Sequence, residues 1–249
     1  LVAVGFGAVA TVAQHALYDA SEDTLGKSFE GLGQVVEDFV AMPEPLRPLL
    51  VADTLVRFAN GMVYVFFVIV VTEFLSVGFT GFGLSLRPDA FFGVLLAVEM
   101  VVAILSMAPV SKLAESFGLK PAVALGFSVY ALFPVLLIFA PADQWVVLLL
   151  FAYSGLRFAG LPAHKALIVG PAEREAGGRV TGSYYLVRNF LVIPSAALGG
   201  WLYGSDWVVA LGGVTLRAGP EFAFGVATAV GAVGVCYFVV FGEEFDAYA

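Results

Sequence analysis

The sequence predicts an all-α membrane protein, with six transmembrane helices preceded by one truncated helix. Three observations carry this expectation. Hydrophobic residues make up 60% of the 249-residue chain and charged residues only 13%, where soluble domains carry about 25%; mean hydropathy is +0.95. Six runs reach roughly the 20 apolar residues that a bilayer core requires. Turns marked by Pro and Gly separate them: "RPD" at 87–89, "APAD" at 140–143, "GPAERE" at 170–175 and "AGP" at 218–220. The runs lack the apolar–polar alternation of barrel strands, so helices are expected.

The elements follow in order. The opening run, 1–16, is apolar from its first residue, with neither an initiator Met nor a basic stretch ahead of it. It is unlike a secretory signal and reads as the end of a truncated transmembrane helix, in a chain expected to be a fragment. Residues 17–48 form a loop carrying an amphipathic helix over 25–42. Leu25, Phe29, Leu32, Val36 and Phe39 recur at three- and four-residue spacing. Glu30, Glu37 and Asp38 make the opposite face acidic. A lipid-surface helix is usually basic there, which favours a linker helix lying against protein. Pro43, Pro45 and Pro48 then break the chain before the first full span.

The full spans are expected at 49–76, 89–110, 121–141, 144–170, 181–204 and 219–242, forming a bundle over 49–242, with a tail at 243–249. Ala196, Gly200 and Gly204, and Gly155 with Ala159, recur every fourth residue, a spacing that lets helices cross closely. Pro134, Pro162 and Pro194 fall inside spans, where kinks are expected.

Lys and Arg orient the chain. Lys27, Arg47, Lys112, Lys120, Arg174 and Arg179 occupy alternate loops; Arg87 and Arg217 are the cations of the loops between them. Lys165 and Arg188 lean the same way. The opening stretch and the C-terminal tail are therefore expected in the cytoplasm of a multi-pass cell-membrane protein. The net charge of -8 and the absence of a basic patch argue against nucleic acid as a partner. The single cysteine, Cys236, excludes an internal disulfide and a cysteine-based metal site. No metal or other cofactor is expected.

Between the second and third runs stands "SKLAESFGLKP", 111–121. It gathers Lys112, Glu115 and Lys120 around Gly118 and ends at Pro121. Gly supplies the backbone freedom a tight turn needs, and Pro is favoured at a helix start. This stretch resembles the signature loop of the major facilitator superfamily, which joins the second and third helices of a six-helix half. Glu115 takes the place of the acid, Gly118 of the Gly and Lys120 of a base. Pro109 or Ser111 stands where a Gly is common, and Ser116 replaces the Arg after the acid. "GSYYLVRNFLVIPSAALGGWLYG", 182–204, is similar to the fifth helix of such a half. The layout resembles the end of the first half, the central loop and the whole second half. Resemblance thus implies a missing N-terminal six-helix half as partner. It also implies a conformational latch at Lys112, Glu115, Gly118 and Lys120; a solvated turn that only enforces topology is the alternative.

Charges inside spans are costly, at least about 2.5–3.5 kcal/mol on insertion scales, and default to function. Asp53 and Arg57 lie four residues apart on one helix face. Glu99 and Arg157 fall near the middle of their spans, so equal depth makes them a candidate pair. The resemblance places 49–76 and 144–170 at the central cavity, where Arg57 and Arg157 would hold an anionic substrate or answer a proton-carrying carboxylate such as Glu99. Asn60, Tyr64, Tyr153 and Asn189 could bond a substrate without a charge cost. Glu73 is expected at an interface. His164 and Lys165 are expected to reach water at the cytoplasmic end, with a proton-relay role for His164 left open.

The leading expectation is a secondary transporter that moves a small solute across a lipid bilayer by alternating access, coupled to protons. Efflux of amphipathic compounds comes first, with sugar or organic-anion transport left open. No phosphate-binding loop points to ATP as the drive. A membrane enzyme would gather polar residues near one face, yet they are spread out and no metal or nucleophile motif occurs; no enzymatic activity is expected. A non-transporting scaffold is the other reading left open.

Overall fold

The apolar runs fold as helices, and Pro and Gly mark most of their ends. The computed structural model describes residues 2–17, 33, 37, 39–40, 42–171, 177–211 and 214–244. Two units divide it, Leu1–Val35 and Val36–Ala249. In the first, α1 (Val2–Leu17) is helical throughout. Most of the linker helix expected over 25–42, including Lys27 and Glu30, lies outside the described residues, as does Arg174.

The second unit opens with α2 (Leu46–Phe74), followed by a hairpin of β1 (Phe79–Gly81) and β2 (Leu84–Leu86). Next come α3 (Pro88–Phe117) and α4 (Leu119–Ile138). α5 (Gln144–Gly155) and α6 (Leu161–Val169) follow, joined by a 3-10 turn at Leu156–Phe158. After them stand α7 (Gly177–Val192), α8 (Ser195–Gly204), a hairpin of β3 (Val208–Leu211) and β4 (Val214–Arg217), and α9 (Pro220–Phe241). Among the described residues, five helical segments are long and apolar enough to cross a membrane: Leu46–Phe74, Pro88–Phe117, Leu119–Ile138, Gln144–Val169 and Pro220–Phe241. The chain is thus an all-α, multi-pass type of membrane protein, with two small hairpins that hydropathy does not announce. The stretch expected as one span at 181–204 is two shorter helices, because Pro194 lacks the N–H that would carry α7 onward.

Several ends have local causes. The Asp143 carboxylate accepts the Trp145 and Val146 N–H groups at 2.9 and 3.0 Å, capping α5. The Gln144 side chain bonds both backbone groups of Thr80, at 2.8 and 3.0 Å, and so pins α5 to the first hairpin. Pro88 and Pro220 sit in the first turns of α3 and α9, where a missing N–H costs nothing.

The expected turn at 111–120 requires correction. α3 runs through Lys112 and Glu115 to Phe117, and only Gly118, at φ +93°, breaks it. Polar residues there mark a change of solvent, and they remain compatible with helix. Glu115 makes no hydrogen bond or ion pair among the described residues. The N-terminus of α4 is held instead by Glu244, which accepts the Leu119 and Lys120 N–H groups at 2.6 and 2.8 Å.

α9 packs along α2 and α4, α3 lies on α5, α8 lies on α2 and α9, and α7 lies on α2 and α6. Two apolar clusters fill the interior. One contains Leu46–Val56, Leu119–Tyr130 and Ala159–Ile168 side chains. The other contains Met62–Val71, Phe91, Leu95, Phe133, Phe151 and Phe224. Gly155 lies against the Glu99 carbonyl and Val102, as its spacing suggested. The stripe expected at Ala196, Gly200 and Gly204 does not make the close contact. Gly199, one position away, packs on Met62.

Candidate functional site

The seam between the two apolar clusters carries charge. Along α2 the apolar contacts change cluster between Val56 and Met62, along α4 between Tyr130 and Phe133, and along α5–α6 between Phe151 and Ala159. Arg57 and Arg157 occupy two of those gaps, and Tyr130 borders the third.

Arg157 stands on the 3-10 turn between α5 and α6. Pro162, in the first turn of α6, cannot donate to a carbonyl one turn back. The helix therefore tightens and restarts, presenting Arg157 inward with 4% of its surface exposed. Its Nη2 lies 2.7 Å from Glu99 Oε1. Glu99 is also buried and accepts a hydrogen bond from the Ser154 hydroxyl. Four rings surround the guanidinium: Phe158 at 4.8 Å, Tyr130 at 5.2 Å, and Tyr64 and Phe133 each at 5.9 Å. Ring faces attract cations, so the four rings help to seat the guanidinium.

Asp53 is the second centre. It is fully buried and accepts from Arg57 Nε at 3.3 Å, Arg188 Nη1 at 2.9 Å and the Tyr184 hydroxyl at 3.1 Å. His164 Nε2 also lies 3.2 Å from Asp53 Oδ2, but it is not aligned for a hydrogen bond. One carboxylate thus ties α2, α6 and α7. Tyr130 links the two centres: it accepts a hydrogen bond from Arg57 Nη1 at 2.7 Å and turns its ring to Arg157. The result is a continuous path, Asp53–Arg57–Tyr130–Arg157–Glu99, across α2, α4, the α5–α6 turn and α3.

Two cavities touch this path. The larger, about 170 Å3, is lined by Tyr64, Phe67, Phe92, Leu96 and Phe151, with Glu99 and Arg157 at its polar end. The smaller, about 10 Å3, is lined by Arg57, Tyr130, Arg157 and His164. Arg157 forms part of both walls. α2 is also irregular at this level, with a 3-10 turn at Tyr64–Phe66 and a π-helical turn at Val70–Phe74. Such turns often mark functional hinges.

The expected residues divide accordingly. Glu99 meets Arg157, and Asp53 meets Arg57. Tyr64 lines the larger cavity. Asn60 is half-buried, with its Oδ1 unpartnered among the described residues. Tyr153 packs in an apolar cluster. Asn189 is exposed and accepts from Arg188. Tyr153 and Asn189 line neither cavity. Glu73 is exposed near the end of α2, and Lys165 is exposed. His164 corrects its expected place at a water-facing end, since it is 4% exposed beside Asp53. Tyr130, Ser154 and Tyr184 escaped sequence reasoning, and Arg188 was read only for topology. Their partners lie 55 to 135 residues away. The signal available was the cost of burial, which demands partners without naming them. Among the described residues no group of three His, Cys, Asp or Glu could hold a metal ion.

No protein-family model matches this chain, and no curated protein matches it.

Proposed function

We propose that the chain is the second six-helix half, with its preceding loop, of a secondary transporter of the major facilitator type. It moves a small solute across the cell membrane by alternating access, coupled to protons, with its C-terminus in the cytoplasm. The fifth span is the broken pair α7 and α8. The observation that carries this reading is the buried ion path through a bundle of membrane-length helices, beside irregular turns in α2 and between α5 and α6. Fixed packing alone would be served by apolar side chains at lower cost, because buried ion pairs contribute little net stability. Ion pairs that two helix groups can make and break suit a protein with two states.

The larger cavity supports an amphipathic solute: rings for its apolar body, Glu99 and Arg157 for its polar end. Protonation of Glu99, which faces Arg157 and Ser154, would release Arg157 toward solute. The test is solute flux into vesicles holding the whole reading frame that contains this chain, with a pH gradient. Glu99→Gln is expected to abolish the pH dependence of flux. Flux with unchanged pH dependence removes Glu99 from the mechanism; folded protein with no flux of any amphipathic, sugar or organic-anion solute supports a scaffold instead.

A further inference from the structure

The interior charges do not balance. Arg57, Arg157 and Arg188 face Asp53 and Glu99: three guanidiniums against two carboxylates leave one positive charge. Glu99 answers Arg157. The excess therefore lies where Arg57 and Arg188 share Asp53, with side chains 24% and 14% exposed. An uncompensated charge in a low-dielectric interior is strongly disfavoured.

The smaller cavity lies beside this excess. Arg57, Arg157 and His164 all contribute to its wall. Arg157 Nε is a buried nitrogen with no hydrogen-bond partner among the described residues, and His164 Nε2 lies 3.2 Å from Asp53 Oδ2 without aligning on it. Buried donors nearly always have partners. A space of about 10 Å3 admits a guest of about the size of one water molecule.

We propose that this cavity binds one small monovalent anion, held by the Arg57 guanidinium with Arg157 Nε and the His164 ring as further donors. The charge fits a halide ion or the carboxylate of a solute entering head first; the volume favours the halide. The site itself needs no transport, whereas the anion's being cargo rests on the transporter reading above. Asp53 and Glu99 do not line the cavity; they are the acidic partners of Arg57 and Arg157, and Arg188 is the further cation on Asp53.

The full chain, purified in detergent, is melted across a chloride series with sodium gluconate holding ionic strength constant, and across an acetate series prepared likewise. A saturable rise in Tm with chloride alone identifies a halide site; saturation by acetate as well identifies a carboxylate site. Arg57→Gln is expected to raise the half-saturating concentration about tenfold or more, the scale of one charge-assisted hydrogen bond. Glu99→Gln frees Arg157 and is expected to lower it by about as much. A purely structural role would move both variants the same way. Absence of saturation with either anion overturns the proposal, and so do variants shifted in one direction. Should Glu99→Gln fail to fold, the size discrimination between chloride and gluconate in the unaltered protein still decides. Binding without any flux sinks only the transporter reading; flux without binding sinks only the anion site.

Discussion

Removing one member of the Glu99–Arg157 pair should cost more than removing both. The two side chains are each 3% exposed, so solvent screens them little. Glu99→Gln leaves a buried guanidinium facing a neutral amide, and breaking a buried pair this way costs about 3–5 kcal/mol. Glutamine keeps the hydroxyl of Ser154 and one N–H of Arg157 partnered, which places the expected loss near about 3 kcal/mol. For a chain of this length that corresponds to a fall in Tm of about 6–12 °C. Arg157→Gln should cost less, because a lone buried carboxyl can escape its charge by protonation. In the double variant two amides can bond each other, and the loss should shrink to about 1–2 kcal/mol. The assay is a double-mutant cycle on thermal unfolding of the purified protein. Additive losses, with the double variant melting at the sum of the two singles, would show that the pair is not coupled and refute the reasoning.

Two further outcomes follow from close contacts. In Gly155→Ala a new Cβ would meet the Glu99 carbonyl oxygen at 2.6 Å and Val102 Cβ at 2.8 Å. Overpacking of about 1–3 kcal/mol should exceed the helix-propensity gain of at most about 1 kcal/mol; a melting temperature equal to or above wild type would contradict this. Glu244→Ala removes the acceptor of the Leu119 and Lys120 N–H groups. Loss of such a cap costs about 0.5–2 kcal/mol, so the amides of Leu119, Lys120 and Ala122 should exchange with deuterium several-fold faster. Unchanged exchange would place the hold on α4 elsewhere.

Hydropathy located the five membrane-length helices because a bilayer core demands an apolar length, and that demand can be read one residue at a time. It misplaced the end of α3 for the same reason: "SKLAES" reports where lipid gives way to water, while the helix continues until Gly118 takes a positive φ. The Glu99–Arg157 pair was legible because two charges at one depth have few other ways to be tolerated. The Asp53 centre was legible only in its local part. Arg57 stands one helical turn away, whereas Tyr184 and Arg188 come from a helix more than a hundred residues on. Depth counted along an unbroken helix carried His164 toward water. The 3-10 turn before Pro162 returns it to the interior. Tyr130 carried no sign at all, since a tyrosine in an apolar run is usually packing; what distinguishes it is the two guanidiniums on either side.

The sharing of Asp53 among several donors sets how damage there can be repaired. Were the acid lost, Arg57 and Arg188 would confront each other with nothing between them. Recovery need not restore the acid, because discarding one of the two bases would also relieve the repulsion. Suppressor screens begun from Asp53→Asn should therefore return Arg57 or Arg188 erased, on α2 or α7, as readily as true revertants.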